Sequence, residues 1–228
     1  LNDLEKAEVL HFKTLALDRN LSLDIAEQDK EKRKEVYSRI NDLYSQIVAL
    51  LENRGDAEKK EIDSAQRVLA EVLNSWGQSL LWSKDGDMKS NLLNSEEHYC
   101  RSIEIKKALG DLEGQAISNG GLGFLWQKKE DFTKAIKSFE EARALNERIG
   151  SYENVAARYL DIVDCHLKSK DAEENHNSAK SIREQAKANL DSAQSILDRG
   201  LVTDSADVKR LSSRITQLKE SFGEGNKE

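Results

Sequence analysis

Few residues in this chain have the types and spacing that chemistry requires. The run Asn119-Gly120-Gly121-Leu122-Gly123 is the first candidate. Glycine loops cradle phosphates when they follow a strand and open a helix with backbone N–H groups aimed at the anion. No strand-like run precedes this one, and Trp126 continues a helical apolar stripe directly after it. The glycines therefore read as helix-interior positions, where each costs on the order of 1 kcal/mol against alanine. Two explanations stay open: a neighbouring helix or a ligand backbone approaches closely there, or the site is merely tolerated. His98 with Cys100, and Cys165 with His166, are metal-ligating types. On a helix such i/i+2 and i/i+1 pairs diverge, unlike the i/i+4 pairs that grip zinc. Core or surface positions are expected for them, and no metal. No acid–base pair, Ser/His/Asp set or reactive-cysteine setting stands out, so neither an enzyme nor a cofactor is expected.

The elements that would position these residues are helices. Of the 228 residues, 38% are hydrophobic and 34% charged, and none is proline. Elongated helical proteins have this balance, because more of their residues face water, and the lack of proline removes the strongest helix breaker. Val and Ile never form alternating runs, so the expected class is all-α. The length allows one large domain or two small ones. A net charge of −7 with interspersed signs argues against nonspecific binding of nucleic acid or an anionic membrane. No apolar run approaches the ~18 residues of a membrane span, and no signal peptide opens the chain. Two cysteines without paired spacing point to a reducing, cytoplasmic setting. Because the chain opens on Leu1, it reads as a domain of a longer protein.

In chain order, residues 1–19 form a helix with a wide apolar face, and Asn20 and Ser22 offer a break with a fresh N-cap. A second helix is expected from about Leu23 to Glu52. Its middle, Glu27–Glu35, is nearly all charged, and its second half places Val36, Ile40, Leu43, Ile47 and Leu50 in a 4-3-4-3 seam. That seam suits packing onto neighbouring helices or, alternatively, a homodimer through residues 22–52. Asn53-Arg54-Gly55-Asp56 ends it, with Gly55 as the C′ residue. A third helix, about Ala57 to Trp82, is followed by an inserted loop, Ser83 to Asn94. The best-patterned stretch is Asn119 to Leu145, two short helices around Lys129-Glu130-Asp131. Here Ala135, Phe139, Ala142 and Leu145 recur at buried-stripe spacing. Ser95, Tyr99, Ser102 and Ile105 repeat these roles forty residues earlier. Ala186, Leu190, Ala193 and Ile196 repeat them again after a second insertion, about Ala172 to Ile182. A last helix, about Ser205 to Phe222, has the stripe expected of a terminal cap. The expected divisions are 1–56, an N-terminal helical hairpin; 57–200, repeats; 201–222, the cap; and 223–228, a disordered tail.

The order Leu-Gly-x-x-aromatic, then Ala-x-x-x-Phe-x-x-Ala, resembles the tetratricopeptide (TPR) repeat, a helix–turn–helix unit that must stack to bury a core. About three repeats of its longer, ~40-residue variety span roughly residues 70–200. The resemblance implies a TPR-like solenoid that binds a protein or peptide in the concave groove lined by each repeat's first helix. Carried over by position, the groove comprises Asn74, Ser75, Gln78 and Trp82, then Ile117, Gly120, Gly121, Phe124, Gln127 and Lys128. Leu160, Asp161, Asp164 and Lys168 complete it. The Lys/Asn clamp that TPR domains use for chaperone C-termini is absent from these positions, so a co-chaperone is not expected.

The resulting expectation is a protein–protein interaction module, an adaptor, scaffold or regulatory domain. Apolar contact would come from Phe124, Leu160 and Trp82, and orientation from Gln127, Lys128, Asp161 and Asp164. Two alternatives accompany it: a structural or dimerisation domain, and the sensor or targeting domain of a larger protein. Met88, Leu92 and Leu93 in the first insertion are expected to fold back beside Trp82 or to await a partner.

Overall fold

A computed structural model describes residues 2–23, 30–52, 59–169 and 176–223, and among these every regular element is a helix. In chain order they are α1 (Asp3–Leu23), α2 (Lys30–Glu52), α3 (Lys59–Trp82), α4 (Met88–Ala108) and α5 (Leu112–Lys128), then α6 (Phe132–Ile149), α7 (Tyr152–Lys168), α8 (His176–Asp198) and α9 (Ser205–Gly223). The chain divides into two compact units, Leu1–Gly121 and Leu122–Glu228, with the division inside α5.

In the first unit α1 packs on α2 and α3, and α3 packs on both α2 and α4. Tyr37, Ile40, Tyr44 and Ile47 of α2 share one apolar cluster with Ala65, Leu69, Val72 and Leu73 of α3. The 4-3-4-3 seam is thus closed within the chain at Ile40 and Ile47, both with no exposed surface. The helices on the two sides of the expected division at residue 56, α2 and α3, share this cluster. The predicted break at Asn20 also gives way, because α1 runs through it to Leu23. The Gly55 cap lies outside the described residues.

In the second unit α6 packs on α7, α7 on α8, and α9 on both α7 and α8. Leu160, Val163, Ala186, Leu190 and Ala193 join Leu211, Ile215 and Leu218 of α9 in one cluster. The last helix therefore covers apolar surface of α7 and α8. Phe139, wholly buried on α6, contributes about 2–3 kcal/mol by burial alone.

The turns have a common construction. Gly110, Glu130, Gly150 and Gly200 all have left-handed backbone, with φ of 69°, 59°, 73° and 64°. At each, the following N–H reaches back to the carbonyl five residues before it, as Asp131 N does to Trp126 O at 2.9 Å. This is the Schellman end of a helix, and the left-handed position favours glycine because it has no Cβ. Asp131 then caps α6 by accepting from Lys134 N at 3.1 Å.

The first insertion is not a long loop. Only residues 83–87 are non-helical, and Asp87 starts α4 by accepting from Ser90 N at 2.7 Å. Met88 and Leu93 lie on α4, 62% and 63% exposed, and do not fold back. The second insertion is helical from His176 onward, and residues 170–175 lie outside the described set.

Candidate functional site

The last turn of α3 carries Gln78, Ser79 and Trp82, and around it the first unit leaves a cleft of about 390 Å³. α1 contributes Leu15 and Asp18 to its lining, one helical step apart, and α2 contributes Arg33 and Tyr37 at i, i+4. Ser83, Lys84 and Asp85 of the α3–α4 turn line the remaining side.

This turn is firmly built. Ser83 Oγ accepts from Asp85 N at 3.0 Å. Tyr37 Oη donates to Asn91 Oδ1 at 2.8 Å, and Asn91 Nδ2 donates to the Asp85 carbonyl at 2.8 Å. Gly86 has φ +81°, a left-handed conformation that favours glycine, and the Tyr37 ring lies 3.1 Å from where a Cβ would stand.

Charge in the cleft is balanced. Arg33 Nη2 and Asp85 Oδ2 pair at 3.1 Å with little exposure of either side chain. Burial raises the Asp18 carboxyl above the usual carboxylate range, and a hydrogen bond with Ser79 pulls it partly back. At the rim, Trp82 is 58% exposed. The arrangement offers an indole face, an isobutyl group, hydroxyl and amide hydrogen-bonding groups and fixed charges, which suits holding a side chain.

The predicted groove positions separate into two sets. In the first unit, Gln78 and Trp82 line the cleft. Asn74 accepts through Oδ1 from Ser118 at 2.9 Å. Gly120 is buried. A Cβ on Gly121 would stand 2.4 Å from the Tyr99 ring, so a neighbouring helix accounts for that glycine. The stretch 119–123 lies wholly inside α5, and a Cβ on Gly123 would meet the Phe139 ring at 2.4 Å. Close helix packing is the reason for both glycines.

The second unit brings Phe124, Gln127, Leu160, Asp161 and Asp164 together, but the chain fills the space itself. Leu160 is wholly buried in the core and has no surface to offer a partner. Asp161, 2% exposed, pairs with Arg158 at 3.0 Å and with Arg214 of α9 at 2.8 Å, and Arg214 also pairs with Asp164. The Arg158 guanidinium lies over the Phe124 and Phe139 rings at 5.3 and 5.4 Å. Gln127 Nε2 donates to Cys165 Sγ at 3.1 Å. Lys128 is half-buried and Lys168 exposed. Leu160 and Asp161 thus serve the fold, because α9 satisfies them.

Sequence reasoning missed Arg158 and Arg214, whose partners are fixed only by packing. It also missed a ring column in the first unit, in which Tyr44 stacks on Trp76 at 5.6 Å and Trp76 on His98 at 4.1 Å. Burial lowers His98 to about 4, assisted by Arg101. Lys106 and Ser118 meet at 3.0 Å, a contact found in some nucleophilic sites. Ser118 has no exposed surface, so no substrate reaches it.

Among the described residues no group of three or more His, Cys, Asp or Glu comes together to hold a metal. Cys165 is buried, and burial pushes its thiol up to about 12. No described helix is long and apolar enough to cross a membrane. No known family model and no curated protein matches the chain.

Proposed function

We propose that the chain is a TPR-like repeat module that binds a protein segment through the cleft at the end of α3. The repeat reading is supported by a recurring contact. Gly77 of α3 has the Tyr99 ring of α4 at 3.4 Å from its Cβ position, an ordinary contact, and Gly123 of α5 has the Phe139 ring of α6 at a closer 2.4 Å. These are the glycine and aromatic positions of the repeat pattern.

The observation that carries the binding reading is the exposed Trp82 indole beside Leu15 on a cleft with rigid polar walls. Apolar anchors of this kind, ringed by polar groups, dominate the energy of protein recognition. The Asp161 region is not the groove of choice, since α9 already occupies it. An intracellular adaptor is the setting this reading fits.

Selection of short displayed peptides on the full chain, followed by binding to Trp82→Ala, tests it. Enriched peptides should lose about 10-fold or more in affinity, the loss typical of an interface anchor. Failure to enrich any peptide removes the peptide-binding reading, and peptides indifferent to Trp82→Ala remove the cleft.

A further inference from the structure

α1 packs on α2 and α3 through a stripe that repeats at three and four residues: Leu4, Ala7, His11, Thr14 and Asp18. Ala7, His11 and Thr14 are buried, Leu4 rests on the core cluster, and Asp18 hydrogen-bonds with Ser79 of α3. Helices usually dock through a stripe of large apolar side chains, and here Leu4 stands alone among small or polar ones. Leu10 and Leu17 at the flank add partly buried surface. The other helices hold one another without α1, since α3 packs on both α2 and α4. α1 can therefore open while α2, α3 and α4 stay packed.

His11 is the weak point of this dock. Its ring meets the Tyr44 ring of α2 edge-on, with centroids 6.4 Å apart. Its Nε2 is buried without a hydrogen-bond partner among the described residues, and so is the Tyr44 hydroxyl. A neutral imidazole bears such a place, whereas an imidazolium brings a second N–H and a charge into it. Among the described residues no charged group of α2 or α3 acts on His11, and burial holds it below the ordinary histidine value. Tyr44 offers only a neutral hydroxyl.

We infer that His11 is an acid-operated latch on the cleft. With the imidazole neutral, α1 stays docked and the cleft is whole; with the imidazole protonated, α1 leaves and takes Leu15 and Asp18 out of the cleft wall. These two residues line the cleft one and two turns beyond His11 on the same helix, so they lose their places when it opens. Control of binding rests on the cleft being the binding site, whereas release of α1 does not. The open state binds a proton below pH 6.5 that the docked state refuses. Docking is therefore complete above that value and weakens about tenfold per pH unit below it, until the docked ring itself titrates. Asp18 leans the other way, because burial raises its carboxyl and the docked state takes up that proton more readily.

Amide hydrogen exchange of the full chain at about pH 7.5 and about pH 5.5, on either side of the histidine value, tests the latch with no ligand present. Protection of α1, relative to the intrinsic rate at each pH, should fall by up to ~10-fold in acid. Its amides should exchange ahead of those of α3 at both values. His11→Leu and, separately, His11→Gln should keep α1 protection constant. The acid loss should remain in His98→Phe, which removes another buried imidazole of the unit, and should be at least as large in Asp18→Asn. A histidine-free peptide selected by display on the chain near neutral pH should bind up to ~10-fold more weakly in acid, and equally at both values to the His11 variants. Undiminished α1 protection in acid, or a loss that persists in both His11 variants, overturns the latch whatever peptides do. Release of α1 with unchanged Trp82-dependent binding overturns its control of the cleft. Failure to enrich any peptide removes the binding reading and that control with it, while the exchange result still decides the release of α1.

Discussion

Asp161 and Arg214 meet at 2.8 Å across the α7–α9 contact, with the carboxylate almost wholly buried. Removing one partner of a buried ion pair leaves an uncompensated charge, which can cost 3–5 kcal/mol. Here Arg158 remains beside Asp161 and Arg214 is 29% exposed, so the loss should be smaller. Arg214→Ala is expected to destabilise the chain by about 2 kcal/mol. Urea unfolding checks this, and amide exchange should show α9 opening before α7. An unchanged midpoint with unchanged α9 protection would contradict it.

Gly123→Ala tests the α5–α6 contact. Alanine favours a helix over glycine by about 1 kcal/mol, but its Cβ would stand 2.4 Å from the buried Phe139 ring. Overpacking of this kind costs about 1–3 kcal/mol or more. The net effect should be a destabilisation of about 1–2 kcal/mol, partly recovered by adding Phe139→Leu. A stabilised single variant would mean that the helices can separate there without cost.

Glu130 is the non-glycine residue among the left-handed turn positions, with φ 59°. Its Cβ is crowded in that conformation, which costs about 1–2 kcal/mol. Glu130→Gly should raise stability by about 1 kcal/mol, since the greater freedom of glycine in the unfolded chain offsets part of the relief. The same substitution at a right-handed position in mid-α6 should lower stability, which makes the pair a controlled comparison in one thermal melt.

The His98 imidazole is held neutral down to about pH 4, against 6.5 when exposed. Between those values the unfolded chain binds a proton that the folded chain does not. Stability is therefore fully present above about pH 6.5 and is lost as pH falls toward 4, by at most about 3 kcal/mol from this group. Burial lowers His11 and His166 in the same direction. His98→Phe keeps a ring on Trp76 and should flatten much of the slope between pH 6.5 and 4.5 in denaturant titrations. An equally steep slope in the variant would assign it elsewhere.

Much of this molecule is legible because its helices obey local rules. The stripe Ala135-Phe139-Ala142 and the turn at Lys129-Glu130-Asp131 appear where spacing and capping put them, and the rings of Phe139 and Tyr99 pack against Gly123 and Gly121. Met88 to Asn94 misled because its Ser, Asn and Lys residues look like loop, while the cap at Asp87 that starts α4 is a single side chain. α1 continued through Asn20 because a polar residue permits a break without requiring one. Asp161 and Leu160 sat at groove positions by register, yet their surroundings depend on α9, which local pattern does not place. The cleft was half visible: Gln78 and Trp82 came from register, but Leu15, Asp18 and Arg33 reach it only through the packing of α1 and α2.

The column of Tyr44, Trp76 and His98 makes the chain its own optical reporter. Trp76 is pinned, with its indole N–H donating to Asn41 Oδ1 at 2.8 Å and the His98 ring 4.1 Å from its own. A protonated imidazole in stacking contact quenches indole emission, whereas the neutral ring scarcely does. In a chain with Trp82 and Trp126 replaced by Phe, emission from Trp76 should therefore fall as His98 takes up its proton, a signal in light rather than in heat.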